Sequence, residues 1–426
     1  MHGNKEERMK LPKNFPQIRY FADFSPGTGY NTATRGVLQM LRSLGLGPDK
    51  VIAVPLAQLR ATAGDVDAGD WTMPYIHSVE VREDLGSNIN IVHTGPLDVG
   101  NYWTANRYNI AITAWETDRL PELPIIDQLT GKAHSVAWHL SRFDQVWVPS
   151  LWNAATLGRC GVDPHDGIHV IPHVLLDELM NVPPQPLAGG HVAGTVFLSV
   201  ASWCVRKNLA GLLQAYWTTG WNPLSGVNLQ LHCAPATRDP FQAQVQANRA
   251  HNEYRALLEM TPDSMSLPTC SGPQVLHVRY GKLLELYQQS DVFVSCSHGE
   301  GFCVPILEAL AMGRWIIAGG PWVAEFLPSA GALQDGGLID ELKVTSTAVP
   351  PIPDVRGYEL GHKWWSCKIE DLAEAMQAAR DALREGSTDT VARAMAVRAA
   401  FSTERWAPKV AELLGLGAER LSRSGW

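Results

Sequence analysis

Two glutamates, Glu300 and Glu308, close the interior and end of the run Ser297-His-Gly-Glu-Gly-Phe-Cys-Val-Pro-Ile-Leu-Glu308. Ahead of them Val292, Phe293 and Val294 predict a buried parallel strand. Behind them, the stretch from Pro305 to Gly313 predicts a short helix opened by proline and closed by glycine. The segment therefore reads strand, tight loop, helix. Backbone N–H groups of the first helical turn, around Gly301, Phe302, Cys303 and Val304, would point past the strand's end, where the helix dipole favours a negative group. A diphosphate meets that requirement. Glu300 and Glu308 would repel phosphate and are suited instead to accept hydrogen bonds from sugar hydroxyls.

A second cluster, Arg206-Lys207-Asn208, lies between a strand expected over 195–201 and a helix starting at Leu209. Its two cations could neutralise charge growing on a diphosphate as the bond to a sugar breaks, and Asn208 could cap the helix. An Arg-Lys pair is also ordinary soluble surface.

The elements that must position these residues alternate along the chain. Strands are expected at 18–24, 51–55, 89–93 and 108–114, and a helix in which Val37, Leu38, Leu41 and Leu44 share a face. Between the first strand and that helix, Gly27 and Gly29 suggest a dinucleotide fingerprint, but Thr32 stands where its third glycine belongs, which argues against a nicotinamide site. The loop 61–70 is rich in glycine and aspartate. His93 ends one strand, where ligands of open α/β sheets collect. Trp115-Glu-Thr-Asp-Arg119 follows another; Glu116 and Asp118 could orient an acceptor hydroxyl or form a solvated ion cluster, the reading given to Arg119. Ser150 is placed to cap a helix.

The Pro- and Gly-rich run 181–193 reads as a linker. Beyond it, strands are expected at 195–201, 228–233, 275–278, 292–297 and 315–318, with amphipathic helices near 371–384 and 403–414. Alternating strands and helices imply parallel βαβ units.

The run around Glu300 and Glu308 resembles the E-x7-E signature of retaining, nucleotide-sugar-dependent glycosyltransferases of the family 4 type. The resemblance implies an α/β GT-B fold of two Rossmann-like domains whose parallel sheets face a central cleft. It divides the chain into an acceptor-side domain (1–180), a linker (181–193), a nucleotide-sugar-binding domain (194–400) and a last helix (401–426) crossing back to the first. It implies Glu300 on the donor sugar, Glu308 on the ribose, Lys207 on the pyrophosphate, His93 near the donor sugar and Gly29 in the loop facing the donor. Trp115, Glu116 and Asp118 fall in a run similar to a signature of one branch. Two positions depart from the pattern: Cys303 where many relatives carry glycine, and Ser202 where a partner arginine is expected, leaving Arg206 as its substitute.

At 426 residues the chain suits two domains. A net charge of −8 supplies no global basic field, so charge gives no indication of a nucleic-acid partner. The seven cysteines are odd in number and lack C-x-x-C spacing, reading as reduced thiols of a cytoplasmic protein. Neither an export signal nor a membrane span is evident, so membrane contact is expected to be peripheral, at the inner face. Fifteen tryptophans are enough to wall a binding site as well as fill cores. No metal-ligand spacing stands out, and no cofactor is expected beyond a nucleotide-diphosphate-sugar co-substrate.

The leading expectation is a retaining hexosyltransferase using such a donor, with a surface glycan or lipid-linked precursor as acceptor. The same chemistry on a modified DNA base or protein hydroxyl, a nucleotide-sugar epimerase, and a non-catalytic sugar-binding protein are the alternatives.

Overall fold

The structure, a computed structural model, describes residues 17–24, 29–56, 71–75, 89–122, 124–127, 130–187, 194–235, 239–261, 266–276, 278–325, 339–341, 344–348, 357–359, 361–385 and 390–416. Gly27, the loop 61–70 and part of the linker run lie outside them.

Strands β1 (Ile18–Ala22), β2 (Val51–Pro55), β3 (Ile89–His93) and β4 (Tyr108–Ile112) are followed by a small antiparallel pair, β5 (Ile125–Ile126) with β6 (Ala133–His134), and by β7 (Gln145–Val148) and β8 (Ile168–Val170). Six of these form a parallel sheet in the order β2-β1-β3-β4-β7-β8. Helices α1 (Gly29–Ser43), α2 (Val136–Ser141), α3 (Leu151–Arg159) and α4 (Asp177–Met180) accompany them. All five residues of β3 are buried, as are all four of β7, which is the condition that selects continuous apolar runs in parallel strands covered on both faces.

The second sheet has the order β11-β10-β9-β12-β13-β14 and is also parallel. Its strands are β9 (Thr195–Ala201), β10 (Val227–Cys233), β11 (Thr269–Val275), β12 (Val292–Ser295), β13 (Trp315–Ala318) and β14 (Ile339–Glu341). An antiparallel hairpin, β15 (Val344–Ala348) with β16 (Lys363–Cys367), stands apart from the sheet. The helices of this half are α5 (Leu209–Thr218), α6 (Pro240–Glu259), α7 (Tyr280–Gln289), α8 (Val304–Ala311), α9 (Ile369–Glu385) and α10 (Thr390–Ala400). Both sheets are thus parallel and wrapped by helices, two Rossmann-like halves.

The last helix, α11 (Thr403–Leu413), packs Ala407, Val410, Ala411 and Leu413 into the first half's core with Leu38 and Leu41 of α1. Ser402 caps it by accepting from Arg405 N–H at 3.2 Å. Gln39 fastens it by donating to Thr403 Oγ1 at 2.6 Å and to the Leu175 carbonyl at 3.1 Å.

β1 and β4 each stop two residues short of the expected 18–24 and 108–114, and two further differences in strand extent have local causes. The strand expected over 275–278 lies earlier, as β11, and carries Gly272 at φ 72° and then Pro273 beside a register shift in β10. Proline is tolerated there because β11 is an edge strand. β12 stops at Ser295 because the next residues turn to the neighbouring loop: Ser297 Oγ and His298 N–H both donate to the Arg206 carbonyl, at 3.1 and 2.7 Å.

Candidate active site

The loop after β12 and the loop after β9 lie side by side, because β12 and β9 are sheet neighbours. This brings together the two sequence clusters. Lys207 Nζ donates to Glu300 Oε1, and Arg206 Nη1 donates to Glu300 Oε2 at 3.2 Å and to the Gly299 carbonyl at 2.7 Å. Glu300 is buried. Burial alone would raise its pKa, but Lys207 and Arg206 outweigh that and hold it below the ordinary glutamate value. Arg206 works against its own burial in the same way: Glu116, Tyr358 and Glu300 push its pKa well above normal, so it stays a cation. Asn208, at φ 51°, caps α5 by accepting from Gly211 N–H at 3.3 Å, which fixes the backbone directly after the two cations.

The same loops touch the first half. Arg206 Nη2 lies 3.6 Å from Glu116 Oε1. The Gly301 carbonyl accepts from Ser150 Oγ and from Asn153 Nδ2, both at 2.8 Å. A Cβ on Gly299 would sit 2.0 Å from the Glu116 carbonyl oxygen, and one on Gly301 would sit 2.6 Å from Ala114 Cβ. Glycine is required at both positions by this close approach of two backbones, beyond any need of the turn itself.

Helix α8 begins at Cys303, whose φ of 69° is left-handed. This explains the expectation that glycine belongs here, since only glycine adopts that conformation freely. The side chains of Phe302, Cys303 and Val304 are all buried, Phe302 packing edge-on to His173 at 5.1 Å. Burial pushes the Cys303 thiol up to about 12, which disfavours its thiolate. Ile306, Leu307 and Leu310 lock α8 into the core, where truncating one leucine typically costs about 2–5 kcal/mol.

Glu308 is also buried, but among the described residues no cation pairs with it. Tyr280 and Tyr287 donate to its two carboxylate oxygens at 2.8 and 2.9 Å. Burial raises its pKa to about 7 against the lowering effect of those two hydrogen bonds. Both tyrosines, raised well above 10 first by burial and then by Glu308, stay protonated donors. Sequence reasoning missed them. Their separation of seven residues, two turns on one face of α7, is the signal that was present.

The remaining candidates divide. His93 Nδ1 is 2.7 Å from the Tyr20 hydroxyl, and its ring stacks 6.4 Å from that of His173. Burial, with His173 adding to it, lowers His93 to about 3, so the ring is neutral. Trp115 is buried, and its indole N–H serves Thr117 Oγ1 and the Arg119 carbonyl, both at 2.8 Å; it braces its own loop. Asp118 Oδ1 accepts from Lys363 N–H at 2.7 Å. Gly29 opens α1 with free space where a Cβ would point.

A strap running from Gly357 into β16 crosses from the second half to the first. Besides Lys363, it contributes Tyr358, whose hydroxyl donates to Glu116 Oε2 at 3.2 Å and whose ring lies 5.4 Å from that of Trp115. Trp364 stacks on His298 at 5.7 Å. No sequence motif marked it.

Among the described residues no group of three or more His, Cys, Asp or Glu could hold a metal ion, all seven cysteines are free, and no helix is long and apolar enough to cross a membrane.

Together the paired parallel sheets and the cleft between them are the GT-B fold. Residues 274–320, holding Glu300 and Glu308, match the family model described as Glycosyl transferases group 1. HepE of Anabaena, solved with UDP and glucose, is 14% identical, with a TM-score of 0.59 over 94% of this chain and 99% of that one. Sucrose-phosphate synthase of Thermosynechococcus elongatus is 16% identical, with a TM-score of 0.59 over 93% and 98%. The trehalose-6-phosphate synthase OtsA is 11% identical, with a TM-score of 0.57 over 94% and 99%. At these identities the likeness is one of fold. No curated protein sequence matches the chain.

Proposed function

We propose that the chain is a retaining glycosyltransferase that moves a sugar from a nucleotide-diphosphate donor to a hydroxyl of a surface glycan or lipid-linked precursor. Residues 194–400 hold the donor and residues 1–180 the acceptor, with 181–193 as linker. The observation that carries this reading is the convergence of Lys207 and Arg206 on Glu300 beside the N-terminus of α8. Two cations and a helix N-terminus form a site for the diphosphate, and Glu300 is the carboxylate poised for the sugar's hydroxyls. Glu308, carried by α8 and held by two tyrosines, receives the ribose.

In transfer, the bond between the anomeric carbon and the phosphate oxygen breaks and the diphosphate keeps the electron pair. The acceptor oxygen bonds to the same face of that carbon, and its proton passes to the departing phosphate. Lys207 and Arg206 stabilise the charge that develops, an effect worth about 3 kcal/mol per well-placed donor. Neutral His93 contributes polarity without charge. Closure of the halves excludes the water that would otherwise hydrolyse the donor.

HepE was solved in complex with UDP and glucose, which makes UDP-sugars the first donors to try. Purified protein should release UDP from one of them, and Lys207→Ala and Glu308→Ala should abolish the release. Full activity in both variants would remove the assignment, while isomerised donor without transfer would mark an epimerase.

A further inference from the structure

We propose that a cavity in the first half, just beyond the cleft, seats neutral sugars of an oligosaccharide acceptor that lie behind its reacting residue. The cavity measures about 530 Å3, within the range of about 300–1,000 Å3 usual for small-molecule sites. Asp118, Arg119, Leu120, Pro121, Glu122 and Arg159 line it. Its position follows from the loop after β4: Glu116 reaches Arg206 in the cleft, and Asp118 is two residues on, within about 8 Å along the chain. In this proposal the next sugar of a chain whose end lies in the cleft enters it from that side.

The lining is already held in place. Asp118 is fixed by Lys363 N–H at 2.7 Å, and Arg119 lies 3.8 Å from it. Glu122 N–H donates to Glu359 Oε2 at 3.1 Å. Arg159 donates to the Asp118 carbonyl at 3.3 Å and to Thr156 Oγ1 at 3.0 Å, with its guanidinium 5.5 Å from the Trp152 ring centroid. Binding a ligand here orders little that is not ordered already.

The chemistry of the wall selects the ligand. Two carboxylates and two guanidiniums cancel, so the wall carries no net charge to favour a phosphate or an amine. A carboxylate accepts through two oxygens and a guanidinium donates through a fork, geometries that suit adjacent hydroxyls. Leu120 and Pro121 offer apolar backing for the C–H face of a ring. A neutral saccharide satisfies all three. This assignment of the bound sugar as acceptor rests on the transfer reading; the binding itself does not.

The test is binding of maltotetraose, cellotetraose and chitotetraose to the full chain without nucleotide, by saturation-transfer NMR and calorimetry, with glucose 6-phosphate as the charged control. At least one tetrasaccharide should bind, glucose 6-phosphate should not, and affinity should fall about tenfold in Arg119→Ala/Arg159→Ala. Glu122→Ala, at an exposed position, should weaken binding in the same direction and guards against a folding defect in the double variant; UDP affinity should be unchanged in both. Absence of tetrasaccharide binding to the wild type, or binding indifferent to both variants, overturns the proposal. Saccharide binding that responds to the variants in a protein that never releases UDP would support the cavity and count against the transfer reading.

Discussion

Arg206 of the second half lies 3.6 Å from Glu116 of the first, and the same guanidinium holds Glu300 at 3.2 Å. One cation thus ties the loop after β4 to the loop after β12 across the cleft. In the free protein Glu116 occupies charge that a diphosphate would otherwise meet. Glu116→Gln keeps the side chain's shape and removes its competition, so UDP should bind roughly fivefold tighter, the scale of about 1 kcal/mol for a part-buried ion pair. Calorimetric titration of UDP checks this. Weaker binding would mean that Glu116 orients Arg206 instead of competing for it.

Gly299→Ala tests the closeness of the halves. The added methyl would stand 2.0 Å from the Glu116 carbonyl, a backbone atom that cannot swing aside. Transfer should drop at least a hundredfold, while UDP affinity, which the proposed donor site assigns to the second half, should change less than fivefold. Unaltered turnover would show that the contact between these loops is dispensable.

Glu308 makes both stability and donor binding sensitive to pH. Its folded carboxyl, raised to about 7, keeps a proton that the unfolded chain has released above its ordinary value of 4.5. Folding therefore binds a proton at Glu308 in that window, so this carboxyl's contribution to stability is present below about 4.5 and lost as pH rises toward about 7, against the opposite trend of buried His93 and His173, whose folded pKa values are lowered. Ribose hydroxyls are best accepted by the ionised form, so UDP affinity should rise across pH 7. Thermal melts and UDP titrations at pH 5.5 and 8.5 should show the wild type losing stability relative to Glu308→Gln, and gaining UDP affinity relative to it, at the higher pH. His93, whose folded pKa is lowered to about 3, is neutral in the folded protein across this range, so His93→Gln should leave the pH profile of UDP affinity unchanged while removing a contribution to stability that grows as pH rises toward the unfolded histidine value of 6.5.

Cys303 occupies a left-handed residue position, φ 69°, at the start of α8. Such a conformation costs a non-glycine residue about 1–3 kcal/mol, most for a β-branched one. Cys303→Gly should stay within about 1 kcal/mol of wild type, the relief of strain offsetting lost packing and added chain freedom. Cys303→Val should lose at least about 2 kcal/mol. Denaturant melts compare them, and a stable valine variant would contradict the backbone argument. In the native protein a thiol reagent at pH 8 should leave Cys303 unmodified.

What the sequence disclosed and withheld has physical reasons. Buried parallel strands are unbroken apolar runs, so 51–55, 89–93 and 315–318 coincide with β2, β3 and β13. Helix caps are local, so Ser150 and Asn208 were readable. Arg206 meeting Glu116, and Tyr358 meeting Glu116 from 242 residues away, depend on how two halves close. No local pattern encodes that. The left-handed Cys303 was visible only as a departure from an expected glycine, and the tyrosine pair around Glu308 was hidden in an ordinary amphipathic helix. Trp115 stands in a run marked by its resemblance to a family signature, and no local pattern showed that its indole N–H would serve its own loop.

The most direct test of the donor site is a crystal structure of the protein with UDP bound. The account predicts diphosphate oxygens within hydrogen-bond reach of Lys207 Nζ and Arg206, beside the N-terminus of α8, with the ribose hydroxyls on Glu308. UDP seated elsewhere, with Lys207 still paired to Glu300 and the Glu308 carboxylate touched only by its two tyrosines, would contradict it.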